Sequence, residues 1–273
     1  MAVTLEGGCR VSDMREGEPL EDRTLRIWNR IGRASGAQAI SLRVMEFAPG
    51  MSPTIRNDDC DQILYLLERG LSLERGHPAR MSEPSQRPEG SALATIFIDG
   101  DRYQITPDTG IYIRPHQTFA IDNPGPDSIV IISSQCPDPD RAPRLVDSPI
   151  TRSSESNVSS IIRLADQKPQ STADRWYRVL VDEAIGSTQV TQFVGSIPPG
   201  RAPDHFHNYE EVLFILKGEG RTWAGETNTP IAEGSCIYLP KGQVHCVENT
   251  GQGELRLLGM FYPAGSPSVR YDA

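Results

Sequence analysis

Two neighbouring stretches decide how this chain is read: PPGRAPDHFHNYEEVLFILKG (198–218) and GSCIYLPKGQVHCVEN (234–249). Between them they hold three of the five histidines. His205 and His207 stand two apart, so on an extended strand both side chains leave the same face. Glu211 follows in phase with Leu213 and Ile215, the alternation expected of an inward barrel face, and His245 sits on a separate strand-like run that can lie alongside. Glu210 competes for the carboxylate role, but the inward phase favours Glu211. Imidazoles with one carboxylate suit a borderline transition metal: iron, manganese, nickel, copper or zinc. A single histidine is more often a core or surface residue than a ligand. Four ligand types in this order, each flanked by turn residues, point to a metal site.

The turn residues carry a family resemblance. Gly200, His205, His207, Glu211 and Gly218 resemble the first motif of the cupin superfamily, and Gly234, Pro240, Gly242, His245 and Asn249 resemble the second. One departure is that Gly200 and His205 stand one residue closer together than in the family pattern. The resemblance implies an all-β chain of two double-stranded β-helix (jelly-roll) cupin barrels, a bicupin. It also implies that His205, His207, Glu211 and His245 are the ligands of one divalent metal, with open positions for water, O2 or substrate. Gly and Pro at the motif ends fit turns, where Gly permits positive φ and Pro presets its own.

Composition agrees with this class. With 24 Gly and 22 Pro among 273 residues, 37% hydrophobic and 23% charged, the chain reads as a turn-rich β protein. A net charge of −9 argues against nucleic acid or an anionic membrane as the main partner. No apolar run reaches the length of a membrane span, and the first twenty residues lack a basic-then-apolar leader. Five cysteines, odd in number and never spaced CxxC, suit reduced thiols and hence the cytoplasm. Alternating runs such as STQVTQFVGSI (187–197) and ELRLLGMFYP (254–263) predict short strands bounded by Gly and Pro. LEDRTLRIWNRI (20–31) is the one stretch with helix-like periodicity.

The chain also repeats itself. PGMSPTIRNDDCDQILYLL (49–67) matches PGRAPDHFHNYEEVLFIL (199–216), and GIYIRPHQTFAIDN (110–123) matches the second motif. In this alignment Arg56 and Asp58 stand where the paired histidines should be, Gln62 replaces Glu211, and Phe119 or Ala120 replaces His245. The first copy has therefore lost its ligands, and Arg56 leaves open a site for an organic anion there. His116 reads as a surface turn. His77 falls in the polar stretch GHPARMSEPSQRPEGS (76–91), expected to be a long loop. The expected division is an N-terminal cupin domain over 1–136, a Pro- and Ser-rich linker over 137–175, and a metal-bearing cupin domain over 176–273.

The leading functional expectation is a mononuclear metal oxygenase, dioxygenase-type with Fe(II), acting on a small oxygenated or aromatic acid. Leu213, Ile215, Val247 and Phe261 would line the barrel and exclude water. Gln192, Arg201, Arg221, Trp223, Tyr238 and Arg256 are candidates for contacting substrate, and no second acid or base stands out. Two other classes use the same ligands: a metal-dependent lyase, isomerase or hydrolase without O2, and a non-catalytic cupin that binds a sugar or small acid. Exposed sheet edges and apolar outer faces predict a homodimer.

Overall fold

The computed structural model describes residues 1–57, 59–67, 94–147, 159–172, 175–268 and 271–272. The polar stretch with His77, as well as Asp58, lies outside these. The described chain is almost entirely antiparallel β-structure, arranged as two barrels of two sheets each. The N-terminal barrel closes a seven-stranded sheet against a six-stranded one, and the C-terminal barrel an eight-stranded sheet against a six-stranded one. Among the described residues no helix is long and apolar enough to cross a membrane. The one helix-like stretch is instead a pair of strands, Leu20–Asp22 and Leu25–Ile31, joined in register Leu20↔Ile27. There the bulky apolar residues Leu25, Ile27 and Trp28 are buried by sheet packing, and β-branching favours the extended form.

The cores explain the sequence pattern. One apolar cluster fills each barrel, and a third lies between the two large sheets, with Trp28, Ile63, Tyr65 and Val130 from one side and Val194, Val212, Phe214 and Met260 from the other. Strands of the large sheets are thus buried on both faces and read as continuous apolar runs, as in VLFIL (212–216). Within Glu210–Lys217, Leu213 and Ile215 face the barrel interior, while Val212 and Phe214 face the other barrel.

A pair of matching latches ties the barrels together. Asp61 of the first barrel accepts hydrogen bonds from the Thr188 and Gln189 amides (3.1 and 3.0 Å) and from the hydroxyls of Ser187 and Tyr112 (3.2 and 2.7 Å). Glu210 of the second accepts the Gln38 and Ala39 amides (both 2.7 Å) and the Tyr238 hydroxyl. Each carboxylate therefore satisfies loop amides of the opposite barrel, groups that burial would otherwise leave unpaired.

Sheet membership crosses the divisions expected from composition. Val3–Thr4 and Arg10–Asp13 extend the C-terminal eight-stranded sheet beside Ser235–Leu239, and Ile161–Arg163 extends the N-terminal seven-stranded sheet beside Thr109–Ile113. Arg144–Val146 pairs with Thr54–Arg56, and Gln170–Thr172 with Arg175–Val181. The stretch read as a linker thus contributes strands to both barrels. Composition misses this because short edge strands tolerate Pro, Ser and charge.

Candidate metal centre

The strands His205–Phe206 and His245–Asn249 lie side by side with His205 directly opposite His245. His207 follows on the same face, and one ligand nitrogen from each of the three histidines lies within 4.8 Å of the other two. His205 Nδ1 is 2.9 Å from the Pro203 carbonyl, and His245 Nδ1 is 2.8 Å from the Gln243 carbonyl. A carbonyl only accepts, so each Nδ1 carries the proton and Nε2 keeps the lone pair. The Gly242 amide donates to the His207 carbonyl at 2.8 Å, tying the turn before His245 to the first motif. That turn needs a φ of +77° at Gly242, which glycine adopts freely.

Glu211 stands beside the triad, its Oε2 3.8 Å from His207 Nε2. It is buried, and burial pushes its carboxyl up to about 8. His245 is pushed down to about 3, mainly by burial and then by His205. Both shifts record the same fact: this interior holds ligand groups in their neutral forms unless a cation compensates. Tyr209 stacks on His207 (centroids 4.5 Å apart, 9° between planes) and on Phe261 (4.2 Å, 19°), which fixes the orientation of the His207 ring. Burial, and then Glu211, hold the Tyr209 phenol well above its usual range. Three imidazoles and a carboxylate converging this way can hold a divalent transition metal.

The ligand groups line a cavity of about 130 Å³, close to the ~150 Å³ that accepts benzene elsewhere. Its apolar walls include Phe193, Ile197, Leu213, Val247 and Leu257. Phe193 lies across Gly259 of the neighbouring strand, where a Cβ would come within 2.3 Å of the ring. Arg175, half-buried, is the one lysine or arginine among the described lining residues, and Trp176 and Tyr177 follow it on the strand.

None of the six residues expected to contact substrate lines this cavity. Gln192 points to the other barrel, where its amide donates to the Leu64 carbonyl at 3.3 Å. Tyr238 belongs to the latch, and Arg256 faces Asp108 of the first barrel at 3.8 Å. Arg201 stacks over Trp223 at 4.1 Å and bonds Asp204 at 3.0 Å, on the outer face of the small sheet. Arg221 donates to Asn228 at 2.6 Å. Each is one residue out of phase with the interior, because strand side chains alternate. The residues that do line the wall come from RWY (175–177) and Phe193, upstream of both motifs. Their signal, an arginine among aromatics on a strand, lay in and beside the presumed linker. Of the apolar residues expected at the wall, Leu213 and Val247 line the cavity, while Ile215 and Phe261 pack in the barrel core. Glu210 faces the barrel seam, away from the histidines.

Comparison with known proteins now adds to the geometry. A model of the cupin domain family matches residues 193–261. Auxin-binding protein 1 of Arabidopsis thaliana is 34% identical over 83 residues, 27% of this chain and 42% of that protein. An oxalate-binding protein of Thermotoga maritima is 35% identical over 66 residues, 23% of this chain and 54% of that protein. The chain thus spans about half the length of these relatives. A solved structure of a variant Bacillus subtilis oxalate decarboxylase superposes with a TM-score of 0.71 at 12% identity, covering 96% of this chain and 78% of that one. That is a likeness of fold. With two jelly-roll barrels and a motif match confined to the second, the chain belongs to the cupin superfamily. It is a bicupin whose metal motif is, among the described residues, intact in the C-terminal barrel alone.

Proposed function

We propose that His205, His207, His245 and Glu211 hold one divalent metal, Fe(II) by preference, and that the C-terminal barrel oxidises a small carboxylic acid with O2. The observation that carries this reading is the cavity lining. Beyond the ligand set, the only ionisable side chains among its described lining residues are Arg175 and Tyr177, and the Tyr177 hydroxyl already donates to Gln170 at 2.9 Å. Hydrolysis or isomerisation asks for a second, free acid or base, so chemistry supplied at the metal fits better. When bound, the metal would supply redox and Lewis-acid chemistry at an open coordination position.

The chain's own residues do the rest. Arg175 pairs with the substrate carboxylate through its guanidinium fork. Tyr177 and Phe193, whose rings meet edge to face at 6.3 Å, give an apolar surface for the acid's body. Leu213, Val247 and Leu257 keep bulk water from the reacting atoms. Tyr209 holds the His207 ring in place from behind. The volume limits the acid to roughly the size of a single ring.

The test is an oxygen-electrode assay of Fe(II)-loaded protein against a panel running from oxalate to hydroxybenzoates, with and without air. O2 uptake in step with loss of one acid is the expected result. Equal product formation under nitrogen would replace this reading with an O2-independent lyase, isomerase or hydrolase. The sequence match to an oxalate-binding protein supports a small acid as the ligand, whichever reaction follows. Stabilisation by an acid without turnover would mean a binding protein.

Two further expectations stand as proposals. All five cysteines are free and buried, which suits a reducing cytoplasm. Val3 and Leu20 are exposed on the outermost strands of the two large sheets, which suits pairing with a second chain. Light scattering at micromolar concentration should give the dimer mass.

A further inference from the structure

A second cavity, of about 290 Å³, opens at the seam between the barrels and shares no lining residue with the histidine pocket. Arg10 reaches it from the N-terminal strand that joins the C-terminal sheet, and Arg30 from Leu25–Ile31 of the facing N-terminal sheet. Arg33, Arg43 and Arg141 complete a lining of five guanidinium groups. Two carboxylates, Asp138 and Asp140, are the only acidic groups among its described lining residues.

The partners of these groups show how much charge is left over. Arg43 is spoken for: it is buried and bonds Asn29, Gln135, the Arg141 carbonyl and Asp138, the last at 3.3 Å. Arg33 and Asp140 stand 3.9 Å apart with both side chains more than half exposed, a weak pair. Arg30 has only 9% of its side chain exposed; its outer nitrogens reach Glu16, and its buried Nε has no partner. The Arg10 Nε is also buried without a partner, and no carboxylate among the described residues lies within ion-pair reach of Arg10. A chain of net charge −9 thus keeps in this cavity the charge of Arg10 without an acidic partner and two buried Nε donors, of Arg10 and Arg30, without an acceptor. Unmet buried donors cost stability, so an acceptor belongs there.

We infer that this cavity binds a small polyanion, a phosphate ester or a di- or tricarboxylate, separately from the metal centre. Guanidinium forks match both anions in a planar, bidentate way. The volume sits at the lower end of the ~300–1,000 Å³ typical of small-molecule pockets, which suits a compact metabolite. The location gives the ligand a consequence. Arg10 lies opposite Tyr238 in the sheet register, and the Tyr238 hydroxyl reaches the Gly36 carbonyl (3.3 Å) just past the turn that carries Arg33. An anion held by Arg10, Arg30 and Arg33 would join the two barrels beside the Glu210 latch.

The test is thermal unfolding of the full-length, metal-loaded protein in inorganic phosphate or succinate, against sodium chloride at matched ionic strength. At least one dianion should raise the Tm saturably, by about 5 °C. The stronger of the two separates phosphate esters from carboxylates as the natural class. Arg10→Gln should weaken that binding about tenfold, and Arg33→Gln should weaken it less. Without added anion, Arg10→Gln should melt no lower than the parent, because it removes a charge that has no partner. Arg175→Ala and His207→Ala should keep the anion response, which separates this site from the proposed active site. If neither dianion exceeds chloride, or if Arg10→Gln and Arg33→Gln both bind as the parent does, the inference is overturned.

Discussion

The two barrels share one register and differ in what they place at the same four points. Gly50 pairs with Asn123 as Gly200 pairs with Asn249, and Ile55 lies opposite Phe119 as His205 lies opposite His245. Ile55, Asn57, Phe119 and Gln62 therefore occupy the positions of His205, His207, His245 and Glu211. Two ligands have become core hydrocarbon. Asn57 donates to the carbonyls of Cys60, Ile113 and Arg114, and Gln62 donates to Ser133 at 3.0 Å. The docking half of the design is kept in both barrels, with Asp61 and Tyr112 on one side and Glu210 and Tyr238 on the other. Ligands point into a barrel and latches point out of it, so the metal site can be lost without disturbing how the barrels join.

The largest difference between the barrels should appear in metal binding. His207→Ala removes one of three convergent nitrogens and should lower affinity by about two orders of magnitude or more. Phe119→Leu, at the His245-equivalent position, should leave metal content unchanged and cost about 1 kcal/mol of stability. Elemental analysis after gel filtration reads both. Equal metal in the two variants would undo the assignment of the active barrel.

The latches should be the point where the barrels are alike. Asp61→Ala and Glu210→Ala each take the acceptor from two half-buried loop amides, while the tyrosine hydroxyls keep a carbonyl in reach (Gly186 at 3.1 Å and Gly36 at 3.3 Å), a loss of about 2 kcal/mol. Urea unfolding of both variants gives the comparison. A large cost at one latch with none at the other would mean that the barrels are held unequally.

Metal-stripped protein should show the buried ligands in its pH dependence. Native Glu211 keeps its proton up to about 8, while the unfolded chain loses it near 4.5. Across that interval the native state binds more protons, so stability falls as pH rises. Native His245 stays neutral down to about 3, while the unfolded imidazole takes up a proton near 6.5, so stability falls as pH drops through that range. The two slopes cancel between about 4.5 and 6.5, leaving a plateau with a decline on either side. Glu211→Gln should abolish the decline above the plateau, and metal uptake near neutral pH should release a proton from Glu211. A stripped protein whose Tm keeps rising toward pH 8 would show that Glu211 is not held neutral.

The metal motif and the barrel class were legible in the sequence because ligand spacing, turn glycines and period-two alternation are local properties. Two things were not. The alignment of the silent copy slipped by one residue: Arg56 and Asp58 were expected at the histidine positions, but strand pairing places Ile55 and Asn57 there. The first copy carries an extra residue before Asp61, so counting back from Gln62 lands one position late. Ile55 packs in the barrel core, so alternation sends its neighbour Arg56 toward the opposite face, away from the position of the histidines. The cavity wall was missed for a different reason. Arg175, Tyr177 and Phe193 belong to strands that reach the pocket only through sheet pairing, which no local pattern encodes.

The smallest effect expected is at Gln62, where the two barrels can be made more alike by one substitution. Gln62→Glu puts a carboxyl at the Glu211-equivalent position, among apolar residues such as Leu64 and Ile131 and beside the Ser133 hydroxyl. Buried among these residues it should stay protonated at pH 6 and still hydrogen-bond Ser133, so stability should change by no more than about 1 kcal/mol. Metal stoichiometry should remain one per chain, because Ile55 and Phe119 offer no donor atoms. The cost should grow as the pH is raised toward 8, when the buried carboxyl is forced to ionise. A second metal equivalent in this variant would mean that the first barrel still holds other ligands, and that its silence depends on Gln62 alone.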